Sequence, residues 1–277
     1  MTDRPRRPGP TVRTRVRELT GDGTERRRED RLATEEPLEI RLAWPGAAAR
    51  RVWVTMRTPG HDFELAAGWL VHEGLARGGD ISSVAYCTDT DLAPEQEFNV
   101  VTVTLSVAPA GDPGHRHTTQ ATGSSACGVC GKDSIADALA VSPSVRWAGE
   151  LPEPDVVRRL PEALREQQSV FARTGGVHAA GLFEPDGTPL VVREDVGRHN
   201  AVDKVVGARV LAGLPTAAAC LVVSGRAGFE LVQKAVTAGV GSLVAVGAPT
   251  SLSVQLARES GLALYGFVSP DRCVRYC

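Results

Sequence analysis

Between residues 155 and 268 short apolar runs alternate with amphipathic helical stretches, and this alternation narrows the possible folds more than any other feature of the chain. The spacing predicts a helix over 155–172, then strands over 177–183 and 189–193 joined by a turn at Asp186-Gly187. A helix capped by Asn200 follows, with Asp203 at the capping-box position and Val202, Val205 and Val206 facing inward. Strand 220–224 runs through Gly225-Arg226-Ala227-Gly228 into a helix over 229–238. Strand 243–246 runs through Gly247-Ala248-Pro249 into a helix over 251–259, and strand 263–268 closes the series. A helix, a hairpin and then alternating units predict a mixed sheet covered by helices on both faces, with ligands gathering beyond the strand ends.

The first half reads differently. Leu38, Ile40 and Leu42 alternate with polar neighbours, Pro45-Gly46 supplies a turn, and 52–56 continues as a second strand, so 37–57 is predicted to be a hairpin. Asp62 is placed to cap a helix carrying Phe63, Ala66, Ala67, Leu70 and Val71, with Gly74 at its end. His61, His72 and Glu73 lie at its ends without H-E-x-x-H spacing and read as solvated or helix-end groups. Strands over 81–87 and 98–107 complete a small α+β domain spanning 34–118, and a linker over 108–119 leads out of it.

Residues 1–31 carry ten arginines against six carboxylates, with Pro5, Pro8 and Pro10 and almost no apolar side chains. Such a segment is too poor in burial to offset ordering, so 1–33 is expected to be a disordered basic tail. No aromatics interleave with its arginines and the rest of the chain is acidic, which argues against a nucleic-acid partner. With 42% hydrophobic and 23% charged residues among 277, the composition is that of a soluble protein. No apolar run reaches the roughly 18 residues of a membrane helix. Arg6-Arg7 is followed by Arg, Glu and Asp where a signal needs an apolar stretch, so the expectation is a cytoplasmic protein with no membrane association.

Cys127 and Cys130 stand at C-x-x-C spacing, flanked by Gly123-Ser124-Ser125 and Lys132-Asp133-Ser134. Paired thiols, a neighbouring cation and a helix start all favour the thiolate, the form that attacks sulfur. Asp133 or Ser134 is placed to cap a helix bearing Ile135, Ala138, Leu139 and Val141, and the glycines predict a mobile loop over 119–135. Three other readings compete. A structural zinc needs four ligands, and His115 with His117, or Cys273 with Cys277, are the available supplements. A redox dithiol normally follows a strand, whereas a polar run precedes this pair. A structural disulfide fits poorly with six cysteines and no secretory signal.

Unusual polar residues collect at two predicted strand-to-helix turns: Arg193, Glu194, Asp195, Arg198, His199 and Asn200 at one, and Ser224, Gly225, Arg226 and Gly228 at the other. Helix N-terminal amides with adjacent arginines suit phosphate oxygens, while capping and surface ion pairs are the plainer explanation.

Five segments together resemble the formate dehydrogenase accessory sulfurtransferases, the FdhD-type proteins. They are TPGHDFELAAGWLVHEG (58–74), SACGVCG (125–131), TGGVHAAG (174–181), EDVGRHNAVDK (194–204) and SGR (224–226). The resemblance implies a C-terminal domain of cytidine-deaminase-like fold over 136–277, a three-layer arrangement around a mixed sheet, behind the small N-terminal domain. It implies a sulfur carrier that accepts persulfide sulfur from a cysteine desulfurase and passes it to the molybdenum cofactor, in its bis-molybdopterin guanine dinucleotide form, for formate dehydrogenase. By motif position Cys127 would hold the persulfide and Cys130 would assist. The cofactor is expected to be a bound substrate and not a permanent group. Phe267, Val268, Ser269, Pro270, Asp271 and Arg272 are implied contacts, Ser269 standing where many members carry a basic residue. Arg198, His199, Arg226 and His178 join them as candidates for gripping phosphates or moving protons, and no metal ligands are assigned. The implied partners are the desulfurase, the formate dehydrogenase catalytic subunit and a second copy in a homodimer.

Kinship with deaminases raises a rival activity, but the required H-x-E is absent at His178-Ala179-Ala180, and the C-x-x-C precedes this point instead of following it. Two further alternatives are a zinc-stabilised, non-catalytic chaperone that delivers the cofactor and a guanine-nucleotide-binding regulator.

Overall fold

The computed structural model describes residues 7–88, 92–93, 96–111, 113 and 145–277. Two sheets organise it. The first contains β3 (Glu36–Trp44), β4 (Ala47–Arg57), β5 (Ile81–Tyr86) and β6 (Val100–Leu105) in the order β4-β3-β6-β5. β3 pairs antiparallel with β4 across the Pro45-Gly46 turn and parallel with β6. Leu38, Ile40 and Leu42 alternate onto one face with Val101, Val103 and Leu105, and α1 (Asp62–His72) covers them with Leu65, Ala66, Trp69 and Leu70. Period-two alternation on the strands and a helical stripe on α1 meet here.

The second sheet runs β12-β11-β10-β9-β7-β8, built from β7 (His178–Phe183), β8 (Pro189–Asp195), β9 (Cys220–Val223), β10 (Ser242–Ala245), β11 (Ala263–Ser269) and β12 (Arg272–Arg275). β9, β10 and β11 are parallel, and the flanking pairs are antiparallel, giving the expected mixed sheet. The four central residues of β9 are buried on both sides: Cys220 and Val222 meet α2 (Pro154–Glu166) through Val157, Leu160 and Leu164, whereas Leu221 and Val223 face the other core. That second core holds α4 (Arg198–Leu211), α5 (Phe229–Ala238) and α6 (Ser251–Ser260). The result is the three-layer helix-sheet-helix arrangement, with the small α+β lobe added.

The lobes join where α1 crosses α4 on glycine. A Cβ at Gly68 would stand 1.9 Å from the Asp203 carbonyl oxygen, and one at Gly207 would stand 1.8 Å from that of Glu64. Only hydrogen at both positions lets the backbones approach this closely. Buried polar bonds flank the crossing. Arg57 and Asp62 form a buried ion pair at 3.0 Å, and the Tyr86 hydroxyl donates to the same carboxylate at 2.8 Å.

Several elements differ from the sequence expectations. Residues 11–33, expected to be disordered, form an antiparallel ribbon of β1 (Thr11–Leu19) and β2 (Glu25–Ala33). Cross-strand charge pairs such as Arg13–Glu29 and Arg17–Glu25 replace the absent apolar core. The predicted helix over 155–172 is two: α2 ends at Glu166, and α3 (Ser169–Thr174) restarts because the Glu194 carboxylate accepts the Val170 and Phe171 amides, both at 2.8 Å. Asp62 does not cap α1; His61 takes that place with φ 59°, while Asp62 is drawn to Arg57. Asn200 does not cap α4, which begins two residues earlier after Gly197, because its amide donates to Met56 O at 2.8 Å and Asp195 Oδ1 at 3.1 Å. Asp203 is likewise no capping-box residue. Its carboxylate, fully buried, meets His72 Nδ1 at 2.5 Å and Lys234 Nζ at 2.6 Å, so His72 is a buried inter-lobe group and not a solvated one.

Candidate functional site

The C-terminal ends of β8, β9, β10 and β11 and the N-terminal end of antiparallel β7 all finish at one edge of the sheet. A crevice of about 820 Å³ opens there, and the lining includes His178, Val196, Ser224, Val246, Val268, Ser269 and Pro270. Its back wall comes from α2 and α3 through Leu164, Arg165, Gln168 and Phe171, with the Arg165 guanidinium 3.7 Å from the Phe171 ring centroid. Mostly apolar walls with a few polar side chains are the usual make-up of a small-molecule site.

His178 opens β7 and is partly buried. The Ser224 hydroxyl accepts the Ala179 amide at 2.9 Å and lies 3.4 Å from His178 Nδ1, close enough to offer that nitrogen its proton. Burial holds the His178 pKa below the ordinary histidine range, and the positive charge of Arg198 adds to the effect while Asp195 opposes it. A neutral imidazole therefore faces the crevice at neutral pH. A Cβ on Gly225 would lie 3.6 Å from His178 Cε1 and 3.9 Å from Arg198 Cδ, so the two predicted turns are neighbours in space. Arg226 is exposed beside Gly247, where a Cβ would stand 3.0 Å from its Cα.

Of the segment 267–272, Val268, Ser269 and Pro270 line the crevice, whereas Phe267, Asp271 and Arg272 do not, and neither do Arg198 and Arg226. Phe267 adopts φ 53°, is 43% exposed, and its amide donates to Gly247 O at 3.1 Å. A bulky residue in the left-handed region carries backbone strain, and such strain gathers at ligand sites. Arg272 lies 5.2 Å over that ring. Val268 is buried, Ser269 and Pro270 line the crevice, and Asp271 and Arg272 are exposed on the way into β12.

His199 is not brought to this crevice. It lines a second cavity of about 580 Å³ between the lobes, with Trp53, Trp69, Glu230 and Lys234, and its Nε2 is 3.4 Å from Glu230 Oε2. Burial lowers its pKa despite Glu230. The two histidine candidates thus serve different cavities.

Much of the 194–204 run is architecture. Asp195, fully buried, accepts the Gly197 amide at 2.8 Å, the Thr58 amide at 3.1 Å, Asn200 Nδ2 at 3.1 Å and Lys204 Nζ at 2.6 Å. Lys204 also donates to Thr58 O at 2.8 Å. Arg193, a candidate anion group, is instead held bidentately by Glu64, at 2.5 and 2.8 Å. Sequence reasoning missed Arg165, Gln168 and Phe171, which lie on and between the two helices just before β7 and carry no motif; the short polar break at Gln167-Gln168 is their one local signal.

Cys127 and Cys130, with His115 and His117, lie outside the described residues. Cys273 packs against the α2 side of the second sheet and Cys277 against its other side, so these thiols cannot share a ligand. Among the described residues no three His, Cys, Asp or Glu side chains converge as metal ligands. Cys220 is buried, which pushes its thiol up to about 12 and leaves it unreactive.

Comparison with known proteins bears on this geometry. Residues 33–277 match the model of the FdhD/NarQ family. Among similar chains, a "Sulfur carrier protein FdhD" of Nocardia farcinica is 48% identical over 261 residues, covering 93% of this chain and 90% of the relative. The protein of the same description from Mycobacterium tuberculosis is 47% identical over 271 residues, 94% of each. The crystal structure of a putative formate dehydrogenase accessory protein from Desulfotalea psychrophila superimposes with TM-score 0.70 at 23% identity, covering 96% of both chains, and thus shares the fold.

Proposed function

Because the chain belongs to the FdhD/NarQ family, whose similar members are described as sulfur carrier proteins, we propose that it carries sulfur for the maturation of a formate dehydrogenase. Cys127 is the carrier. Its thiolate attacks the outer sulfur of a cysteine desulfurase's persulfide; an S–S bond forms at Cys127 as the donor's S–S bond breaks and the donor cysteine leaves as a thiolate. The terminal sulfur would then pass to the molybdenum cofactor, bound as substrate: the Cys127 S–S bond breaks, Cys127 leaves as a thiolate, and the acceptor supplies the electron pair for the new bond to sulfur. Cys130 assists, and the competing attack of Cys130 on loaded Cys127 would expel the sulfur as sulfide and close a disulfide.

The observation that supports this reading is the strand-end crevice lined by His178, Ser224, Val268, Ser269 and Pro270, with Phe267, in the left-handed region, next in the chain to Val268. A flat ring system can stack on Phe267. Arg198, whose charge is felt by His178, and Arg272, beside Phe267, are the cations that would offer forked contacts to phosphates, and the His178–Ser224 pair provides a neutral proton acceptor or donor in the crevice. An acceptor held in the crevice would take up sulfur in a proximity-driven step once the loaded thiol reaches it.

Intact mass spectrometry after incubation with desulfurase and cysteine tests the assignment. One added sulfur on the peptide containing Cys127 is expected, lost in Cys127→Ala and retained in Cys130→Ala. Formate dehydrogenase activation should be abolished by the first substitution and reduced by the second. Equal loss from both, or activation surviving Cys127→Ala, refutes the assignment.

A further inference from the structure

The β1–β2 ribbon precedes most of the family match, which starts at residue 33, and none of its residues lines the strand-end crevice. Its nine-residue strands extend about 30 Å. Among the described residues this sheet has two strands only, and Val12, Leu19 and Leu32 are 51%, 76% and 47% exposed. A two-stranded ribbon without an apolar face is marginal in water and is completed by a third strand or a covering surface.

Register decides what could complete it. Residues opposite one another across an antiparallel pair share a face, which puts Arg13, Arg15, Arg17, Arg27 and Arg31 together with only Glu25 and Glu29, a net +3. The other face balances Arg26 and Arg28 against Glu18 and Asp30. The ion pairs respect this division: Arg13 meets Glu29 and Arg17 meets Glu25 on the first face, while Arg28 meets Glu18 and Asp30 on the second. On the basic face Arg15, Arg27 and Arg31 are left without a carboxylate partner among the described residues. The C-terminal end of β2 lies beside α3, with a Cβ on Gly176 only 3.5 Å from that of Ala33, so among the described residues β1 offers the edge that is open along its length.

We infer that β1 is a docking edge for an extended acidic segment of a partner protein, added as a third strand with alternate carboxylates on the basic face, where Arg15, Arg27 and Arg31 lack carboxylate partners among the described residues. Main-chain pairing supplies the grip and the alternating arginines supply the selection. Nucleic acid is the poorer occupant. It has no peptide N–H and C=O groups to pair with the strand edge, and the ribbon carries no aromatic side chain on which a base could stack.

Fluorescence anisotropy on the full-length chain tests this with a labelled peptide, Glu-Val-Glu-Thr-Glu-Val-Glu-Thr-Glu, acetylated and amidated. Saturable binding is expected, absent for the peptide with Lys replacing every Glu. Two versions, each N-methylated at one alternate set of amides, should differ, with one of them at least tenfold weaker. Arg15→Glu/Arg27→Glu/Arg31→Glu should weaken binding at least tenfold, and Arg15→Lys/Arg27→Lys/Arg31→Lys should restore most of it, with all proteins melting alike. No saturable binding, equal affinity of both N-methylated peptides, or tighter binding of a 15-nucleotide oligothymidine would each overturn the inference.

Discussion

Replacing Gly207 with Ala probes the contact that joins the two lobes. The added Cβ would meet Glu64 O at 1.8 Å, Glu64 C at 2.6 Å and Gly68 N at 2.8 Å, all of them backbone atoms that cannot rotate away. An ordinary contact begins near 3.4 Å, so α1 and α4 must part by about 1.6 Å. Overpacking of this kind costs about 1–3 kcal/mol, and the upper end applies where only rigid backbone can give. The separation also stretches the buried His72–Asp203 bond, now 2.5 Å, and a charge-assisted bond of that type contributes about 1.5–3 kcal/mol. Against these stands about 1 kcal/mol gained from the helix preference of Ala over Gly. The net loss is about 4 kcal/mol, equivalent to roughly 8–16 °C in Tm for a protein near this size. Differential scanning fluorimetry reads it directly. Gly79→Ala, where a Cβ meets nothing within 4 Å, is the control and should leave Tm unchanged. A Gly207→Ala protein melting within 2 °C of the parent would show that the lobes have slack at this crossing and would refute the close-packing argument.

Arg57→Met leaves Asp62 charged and buried, so a loss of about 3–5 kcal/mol is expected in urea unfolding, with much of it recovered in Arg57→Met/Asp62→Leu. Acid sensitivity follows from the histidines. Burial, chiefly, keeps His72, His178 and His199 below the ordinary range, so the unfolded chain binds more protons as pH falls through about 6.5 and stability should drop between pH 7.5 and 5.5. His72→Gln should flatten the Tm–pH profile over that interval; an unchanged slope would exclude His72 as a contributor. Phe267→Gly removes the cost of a left-handed Phe, about 1–3 kcal/mol, but gives up the buried part of a ring that is 43% exposed and adds freedom to the unfolded chain, which offsets the gain. It should therefore leave Tm nearly unchanged while reducing formate dehydrogenase activation, with Cys127 loading unchanged by mass spectrometry. A fall in both Tm and loading would mean that Phe267 is a packing residue.

Local pattern was enough for most elements. The helices over 229–238 and 251–259 and the strands beside them lie within a residue of their observed bounds because apolar period and glycine turns act over a few residues. The ribbon was hidden because its stabilisation is cross-strand charge, which composition alone reads as a solvated tail. Gln168 and Phe171 were hidden because a carboxylate from β8 restarts the helix that carries them.

By itself the sequence determined the three-layer sheet order of elements, the strand-end position of the crevice and the motif that identifies the family. Only the tertiary structure decided which members of that motif are available for chemistry. Asp195, Asn200, Asp203 and Lys204 are consumed in buried bonds between lobes, Arg193 is clamped by Glu64, and His178 and His199 are parted into separate cavities. The physical reason is that a carboxylate or ammonium removed from water must find its partner wherever the fold brings one, and those partners lie 129 to 146 residues away for Arg193, His72 and Lys204.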